Sequence, residues 1–233
     1  MKIAIMQPYF LPYIGYFQLI KAVDKFVLYD DVNYINKGWI NRNNLLVNGK
    51  AFLFTVPLKD ASQNKLINQI ELSDDPKWRP KLLQTVGQSY KKAPYFAQVY
   101  PIVERILHNT SPRVADLIFS SIQEIMQYLA ITTDLVRSSA VYGNQQLKAQ
   151  DRIIDICRQE NAKLYINPIG GQQLYNHLAF DAEKITLRFI KTNPLVYKQF
   201  QNEYVPFLSV LDVLMFNSVA EVNALLDLYE LVA

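Results

Sequence analysis

Short apolar runs alternate with helical periodicity along most of the chain. Lys2 to Met6 (KIAIM) has the pattern of a buried parallel strand and stops at Gln7-Pro8. A constrained turn follows, carrying Pro8, Pro12 and Gly15, and then an apolar helical stretch from Tyr16 to Val23. Lys25 to Tyr29 (KFVLY) reads as a second strand that ends in Asp30-Asp31. Together these residues predict a βαβ unit. Its right-handed crossover puts Gln7-Pro8 and Asp30-Asp31 on one edge of a sheet. Further on, Asn48-Gly49 lies between LLV and AFLFTV, a strong hairpin signal. Another strand is expected across Leu66 to Leu72.

From Pro76 the pattern turns helical, and three helices are expected over 76–91, 95–109 and 112–130. The third has Val114, Leu117, Ile118, Ile122, Ile125, Met126 and Leu129 at i, i+3, i+4 spacing, with Ser111-Pro112 as its cap and first residue. Strands are expected again at Ile131 to Ser138, Lys163 to Ile166 and Ile185 to Ile190, with a helix over 148–160. An amphipathic helix over 218–231 closes the chain. The pattern predicts one α/β domain over 1–233: an open, mostly parallel, Rossmann-like sheet with a β-hairpin and a helical insertion at about 76–130.

Composition narrows the function classes. The chain has 233 residues, 50% apolar and 19% charged, which is a globular balance. A net charge of +3 is too mild to argue for nucleic acid, and an anionic small molecule fits it as well. No run of about twenty apolar residues exists, so no membrane span is expected. The start is too short for a signal peptide, and the single cysteine, Cys157, allows no internal disulfide. A reducing cytoplasm is the expected compartment. Cys157 sits among Ile153, Ile154 and Ile156 and reads as a core thiol.

Candidate chemistry sits in loops after strands. In QPYFLPYIGY, Gln7, Tyr9, Tyr13 and Tyr16 offer polar groups, and Gly15 allows close approach of a phosphate to helix N–H groups. Asp30 and Asp31 suit hydroxyl binding, a metal or proton acceptance, although neighbours on a strand point to opposite faces. In KGWINRN, Arg42 can hold phosphate or carboxylate and Trp39 can stack on a base or sugar. The Asn167-Pro168-Ile169-Gly170-Gly171 loop lets backbone approach a ligand. His177 lies nearby as an acid–base candidate, against a structural reading. The two histidines, His108 and His177, have no partner at metal-ligand spacing, so no metal site is expected. P-loop, dinucleotide-fingerprint and nucleophile-elbow motifs are missing.

The segments MKIAIMQPYFLPYIGYFQLI, FVLYDDVNYINKGWINRN, SQNKLINQI, KLYINPIGG and FLSVLDVLMFNS resemble the WbqC-like family of bacterial proteins, nearly end to end and in order. The family motif falls on Gln7, Pro8, Tyr9, Pro12, Gly15 and Tyr16. It continues on Asp30, Asp31, Tyr34, Trp39, Arg42 and Asn43, and on Asn167, Gly170 and Gly171. The resemblance implies a place in surface-glycan or lipopolysaccharide O-antigen pathways. PYIGY also resembles the HxGH loop of nucleotidyltransferases, with Tyr13 and Tyr16 at the flanking positions. Tyrosine cannot supply imidazolium charge, and no KMSKS-like lysine loop is visible.

The leading expectation is an enzyme that transfers an acyl or aminoacyl group to a nucleotide-activated amino sugar. Asp30 or Asp31 would be its base, Arg42 its anion contact, and Tyr9 and Tyr16 its sugar contacts. The alternatives are a nucleotidyltransferase or ligase using ATP, and a non-catalytic glycan-precursor binding protein. No cofactor can be named from the sequence.

Overall fold

A computed structural model describes residues 1–201 and 203–233. Its centre is a six-stranded sheet. Along the chain the strands are β1 (Lys2–Met6), β2 (Lys25–Leu28), β7 (Asp134–Val136), β8 (Leu164–Pro168), β9 (Thr186–Thr192) and β10 (Tyr229–Val232). In space the order is β10-β9-β8-β1-β2-β7. All neighbours are parallel except β10, which runs antiparallel to β9. The expected open, mostly parallel α/β sheet is therefore present, with strands where 1–30, 163–166 and 185–190 predict them.

Strand alternation explains the two layers. Ile3, Ile5 and Val27 point to one face and pack with Ile153 and Ile156 of α5 (Ala149–Gln159) and Phe180 of α6 (His177–Ala182). Ala4, Phe26 and Leu28 point to the other. There they meet α1 (Ile14–Lys21), α7 (Val210–Phe216) and α8 (Val219–Leu226). The helices α2 (Trp78–Tyr90), α3 (Phe96–Leu107) and α4 (Val114–Tyr128) contribute to that same cluster. Between β2 and α2 lie two ribbons, β3 (Arg42–Val47) with β4 (Lys50–Thr55), and β5 (Leu58–Lys59) with β6 (Glu71–Leu72). The first turns at Asn48 and Gly49, whose φ values of +50° and +73° are those of the expected tight hairpin.

Four expectations need correction. The strand expected over Leu66 to Leu72 is reduced to β6, because Ile67–Gln69 forms a 3₁₀ turn whose Asn68 N–H donates to the Asp30 carbonyl (2.9 Å). Pro112 is not the first residue of α4. Its carbonyl accepts from Leu72 N–H (2.7 Å), and the helix starts after that pairing, at Val114. The strand expected to reach Ser138 stops at Val136. The last helix ends at Leu226, and Tyr229 belongs to β10 instead, because the open edge of β9 takes up the backbone groups of 229–232.

The crossover pattern fixes where a ligand site belongs. The chain leaves β1 toward β2 and leaves β8 toward β9, in opposite directions, although β1 and β8 are neighbours. The loops after them therefore leave in opposite directions, the switch point at which open α/β sheets usually bind a ligand.

Candidate functional site

The carboxyl ends of β1, β2, β7 and β8 put Gln7, Asp30-Asp31, Ser138-Ser139 and Asn167 on one edge. Tyr29 N–H donates to the Met6 carbonyl (2.8 Å), which fixes the first two at one level. The loop after β1 is held from several sides. Phe10 N–H donates to the Ile40 carbonyl (2.9 Å). Leu11 has φ +46°, a left-handed conformation costly for a branched residue. Its carbonyl is pinned by Asn43 Nδ2 (2.9 Å) and Ser209 Oγ (2.7 Å). Backbone strain thus sits in the loop that leaves β1 at the switch point.

The two aspartates have different surroundings. Asp31 continues the parity of Val27 and Tyr29 and turns toward α5. It pairs there with Arg152 (Nη2 to Oδ2, 2.5 Å), with both side chains 3% exposed. Ser139 Oγ and Gln145 Nε2 also donate to it. Arg152 is further held by Asn144 Oδ1 (2.9 Å) and lies 5.0 Å over the Tyr29 ring. Asp30 points the other way, and among the described residues no cation pairs with it. Ser138 Oγ donates to its Oδ1 at 2.6 Å. Burial pushes its carboxyl up to about 6. The Ser138 hydrogen bond opposes this and the Asp31 charge adds to it. Neighbouring carboxylates in unlike environments are how one site separates a proton acceptor from a fixed charge.

Other predicted residues fall into two groups. Gln7 and Tyr9 are half-buried, and their side-chain polar groups have no protein partner among the described residues. Gly170 has open space where a Cβ would stand. Asn167 is buried, with Nδ2 on Tyr165 Oη (2.7 Å). These follow or end strands at the carboxyl edge of the sheet.

The remainder support loops. Tyr16 is buried and donates to the Gln7 carbonyl (2.9 Å). Tyr34 is buried and donates to Asn41 Oδ1 (3.0 Å), and Pro8 is buried. The space beside Gly15 is filled by the protein's own Thr192 Oγ1, 2.9 Å from a Cβ, so this glycine serves the packing of α1 on β9. Arg42 caps the Gly38 carbonyl (Nε, 2.8 Å) and the Lys37 carbonyl, and lies 5.6 Å over the exposed Trp39. It anchors the Trp39 turn. His177 opens α6 and meets Phe189 edge-on (5.9 Å). Cys157 is buried in the core as expected, and burial raises its thiol to about 12.

Gly171 allows a sharp check. A Cβ there would overlap Asn167 Oδ1, whereas at Gly170 it would meet nothing within 4 Å. Gly171→Ala should displace Asn167 and destabilise the fold by about 1–3 kcal/mol. Gly170→Ala should stay within about 0.5 kcal/mol of the parent. Urea denaturation of the pair reads the difference, and equal midpoints would contradict the packing.

Sequence reading missed Ser138, Ser139, Gln145 and Arg152. Only the first two carried a signal, as a polar pair just past a strand. It also missed Asp212 of α7, which is fully buried and accepts from Tyr90 Oη (2.9 Å), Tyr197 Oη (2.6 Å) and Gln199 Nε2 (2.6 Å). This carboxylate fastens the segment after β9 to the core. A groove of about 710 Å³ between α3, α4 and the amino end of β7 lies away from this edge.

Comparison with known proteins agrees with the motif distribution. The chain is 28% identical over 222 residues to the Uncharacterized protein Rv1507c of Mycobacterium tuberculosis (strain ATCC 25618 / H37Rv), covering 94% of this chain and 95% of that one. No solved structure gives a significant match. The profile of the WbqC-like protein family matches residues 7–224, which include the loops after β1, β2, β7 and β8, and the chain belongs to that family.

Proposed function

We propose that the crevice outside β1 and β8 binds a nucleotide-activated amino sugar and that the protein transfers an acyl or aminoacyl group to the sugar's amine during surface-glycan assembly. One observation carries the catalytic part. Asp30 is a buried carboxyl at the sheet's carboxyl edge, raised to about 6, with no cation paired to it among the described residues. Near neutral pH it is mostly ionised, yet it is a better proton acceptor than an ordinary carboxylate. As the amine nitrogen forms its bond to the donor carbonyl, Asp30 takes the amine proton. The donor's leaving group departs with its electron pair.

The rest of the edge suits such a substrate. Gln7 and Tyr9 offer free polar groups for sugar hydroxyls. Arg113 donates to the Asn68 carbonyl (3.0 Å), and Asn68 N–H donates to the Asp30 backbone carbonyl (2.9 Å), which puts one guanidinium group near this edge.

A thermal-shift screen with nucleotides, nucleotide amino sugars and acyl donors tests the binding part, and mass spectrometry of the product tests transfer. A ligand at a hundredfold excess over its Kd should stabilise the fold by about 2.7 kcal/mol. Binding without any product, in every donor combination, would leave a precursor-binding protein.

A further inference from the structure

We propose that the carboxyl edge of the sheet docks on an anionic lipid surface, with the exposed apolar side chains of its loops entering the headgroup layer. Exposed hydrophobic residues scattered singly over a protein need no explanation. Here the most exposed of them are not scattered. Among the described residues, five large hydrophobic side chains are more than 70% exposed: Val141, Leu174, Leu178, Val196 and Phe207. Every one lies in a segment that leaves the carboxyl end of a sheet strand. Val141 follows β7, Leu174 and Leu178 follow β8, and Val196 and Phe207 follow β9. Parallel strands bring these segments to the same edge. Trp39, 47% exposed, joins them from the segment after β2.

Two further observations point the same way. Phe207 is held at φ +58°, a conformation that bulky residues avoid, with its ring 5.9 Å from that of Tyr13. Strain is spent on keeping an aromatic ring in water beside the crevice. The edge also carries more exposed cations than carboxylates. The segments after β1, β2, β7, β8 and β9, with the first turns of the helices they open, carry the exposed cations Lys37, Arg137, Lys148 and Lys198 against the exposed carboxylates Asp151 and Glu203. Arg137 is paired with Asp116 of α4 (2.6 Å), which leaves three lysines facing outward. The connections entering β2, β8 and β9 at the opposite edge carry Asp24, Glu160 and Glu183 against Lys163 and Lys184. Apolar tips among lysines, on rigid loops around one edge, match the headgroup region of an anionic bilayer. No helix among the described residues is long and apolar enough to cross a membrane, so the contact is peripheral.

The docking does not depend on which reaction the crevice performs, and its test needs no substrate. The full chain is sedimented with phosphatidylcholine vesicles, with and without phosphatidylglycerol, at low and high salt. It should partition onto the anionic vesicles and be released by salt. Trp39 fluorescence should shift to the blue on binding, since the only other tryptophan, Trp78, is already buried. Leu174→Ser with Leu178→Ser, and Val196→Ser with Phe207→Ser, should each weaken partition by at least about tenfold. Their unfolding midpoints should stay at the parent value, because the side chains are mostly in water. Leu231→Ser, on β10, should bind like the parent. Failure of the parent chain to bind anionic vesicles would overturn the proposal, as would equal binding by all variants. Dimers dispersed by the same substitutions would assign the surface to a second copy and also overturn it.

Discussion

Asp30→Asn should abolish transfer and, above pH 6, make the protein more stable. The first effect follows from removing the proton acceptor, which for a positioned base costs about 10²–10⁴ in rate. Ligand affinity should change little, because asparagine keeps the shape and can still accept from Ser138 Oγ. The second effect follows from the raised carboxyl. It stands at about 6 in the folded protein, against an ordinary value of 3.8. Between those values the native state holds more protons than the unfolded chain, so stability falls as pH rises through that window. The contribution is present below pH 4 and gone above pH 6. Two pH units correspond to about 2–3 kcal/mol. The amide has no such dependence. Parent and variant should therefore unfold alike at pH 4 and diverge by pH 7, with the variant ahead. The parent's rate should rise with an apparent pKa near 6 in the same range. Equal urea midpoints at both pH values, together with retained turnover, would remove Asp30 from the mechanism.

Much of the scaffold was legible because its signals are local. The run KIAIM, the turn at Gln7-Pro8 and the run KFVLY each specify their own conformation, and the crossover rule then aligns their ends. Asn48-Gly49 names its own turn type. The misses have a shared cause: tertiary partners took backbone groups that local rules assign elsewhere. Pro112 was drawn into pairing with Leu72 instead of opening α4, and 229–232 became a strand because β9 offered an edge. The helix α7 gave no periodic signal because VLDVLMF is buried from Val210 to Met215. The site divides in the same way. Gln7, Tyr9, Asp30 and Asn167 could be expected at one edge because strand ends mark them. Arg152 could not, since it lies 121 positions after Asp31 on a helix that reads only as amphipathic. Which aspartate stays free depends on that arginine, so the sequence could name the pair but not choose between its members.

Arg152→Ala should be among the most damaging single substitutions in the chain, at about 3–5 kcal/mol. The guanidinium is nearly inaccessible and makes bonds that water cannot replace. It meets Asp31 Oδ2 at 2.5 Å, the Asp31 carbonyl at 3.3 Å and Asn144 Oδ1 at 2.9 Å, and it covers the Tyr29 ring. Removing it leaves Asp31 ionised, buried and held only by Ser139 and Gln145. A carboxylate in that position escapes the cost by taking a proton. The loss should therefore shrink as pH falls. Adding Asp31→Asn to Arg152→Met should recover much of the stability, because the uncompensated charge disappears and the methionine stem refills the space. The pair also matters to the site. With Arg152 in place, Asp31 is turned to α5 and Asp30 is left without a cation among the described residues. A stability loss under about 1 kcal/mol would mean that the pair is screened by solvent. In that case the separation of the two aspartates would have to be explained without it.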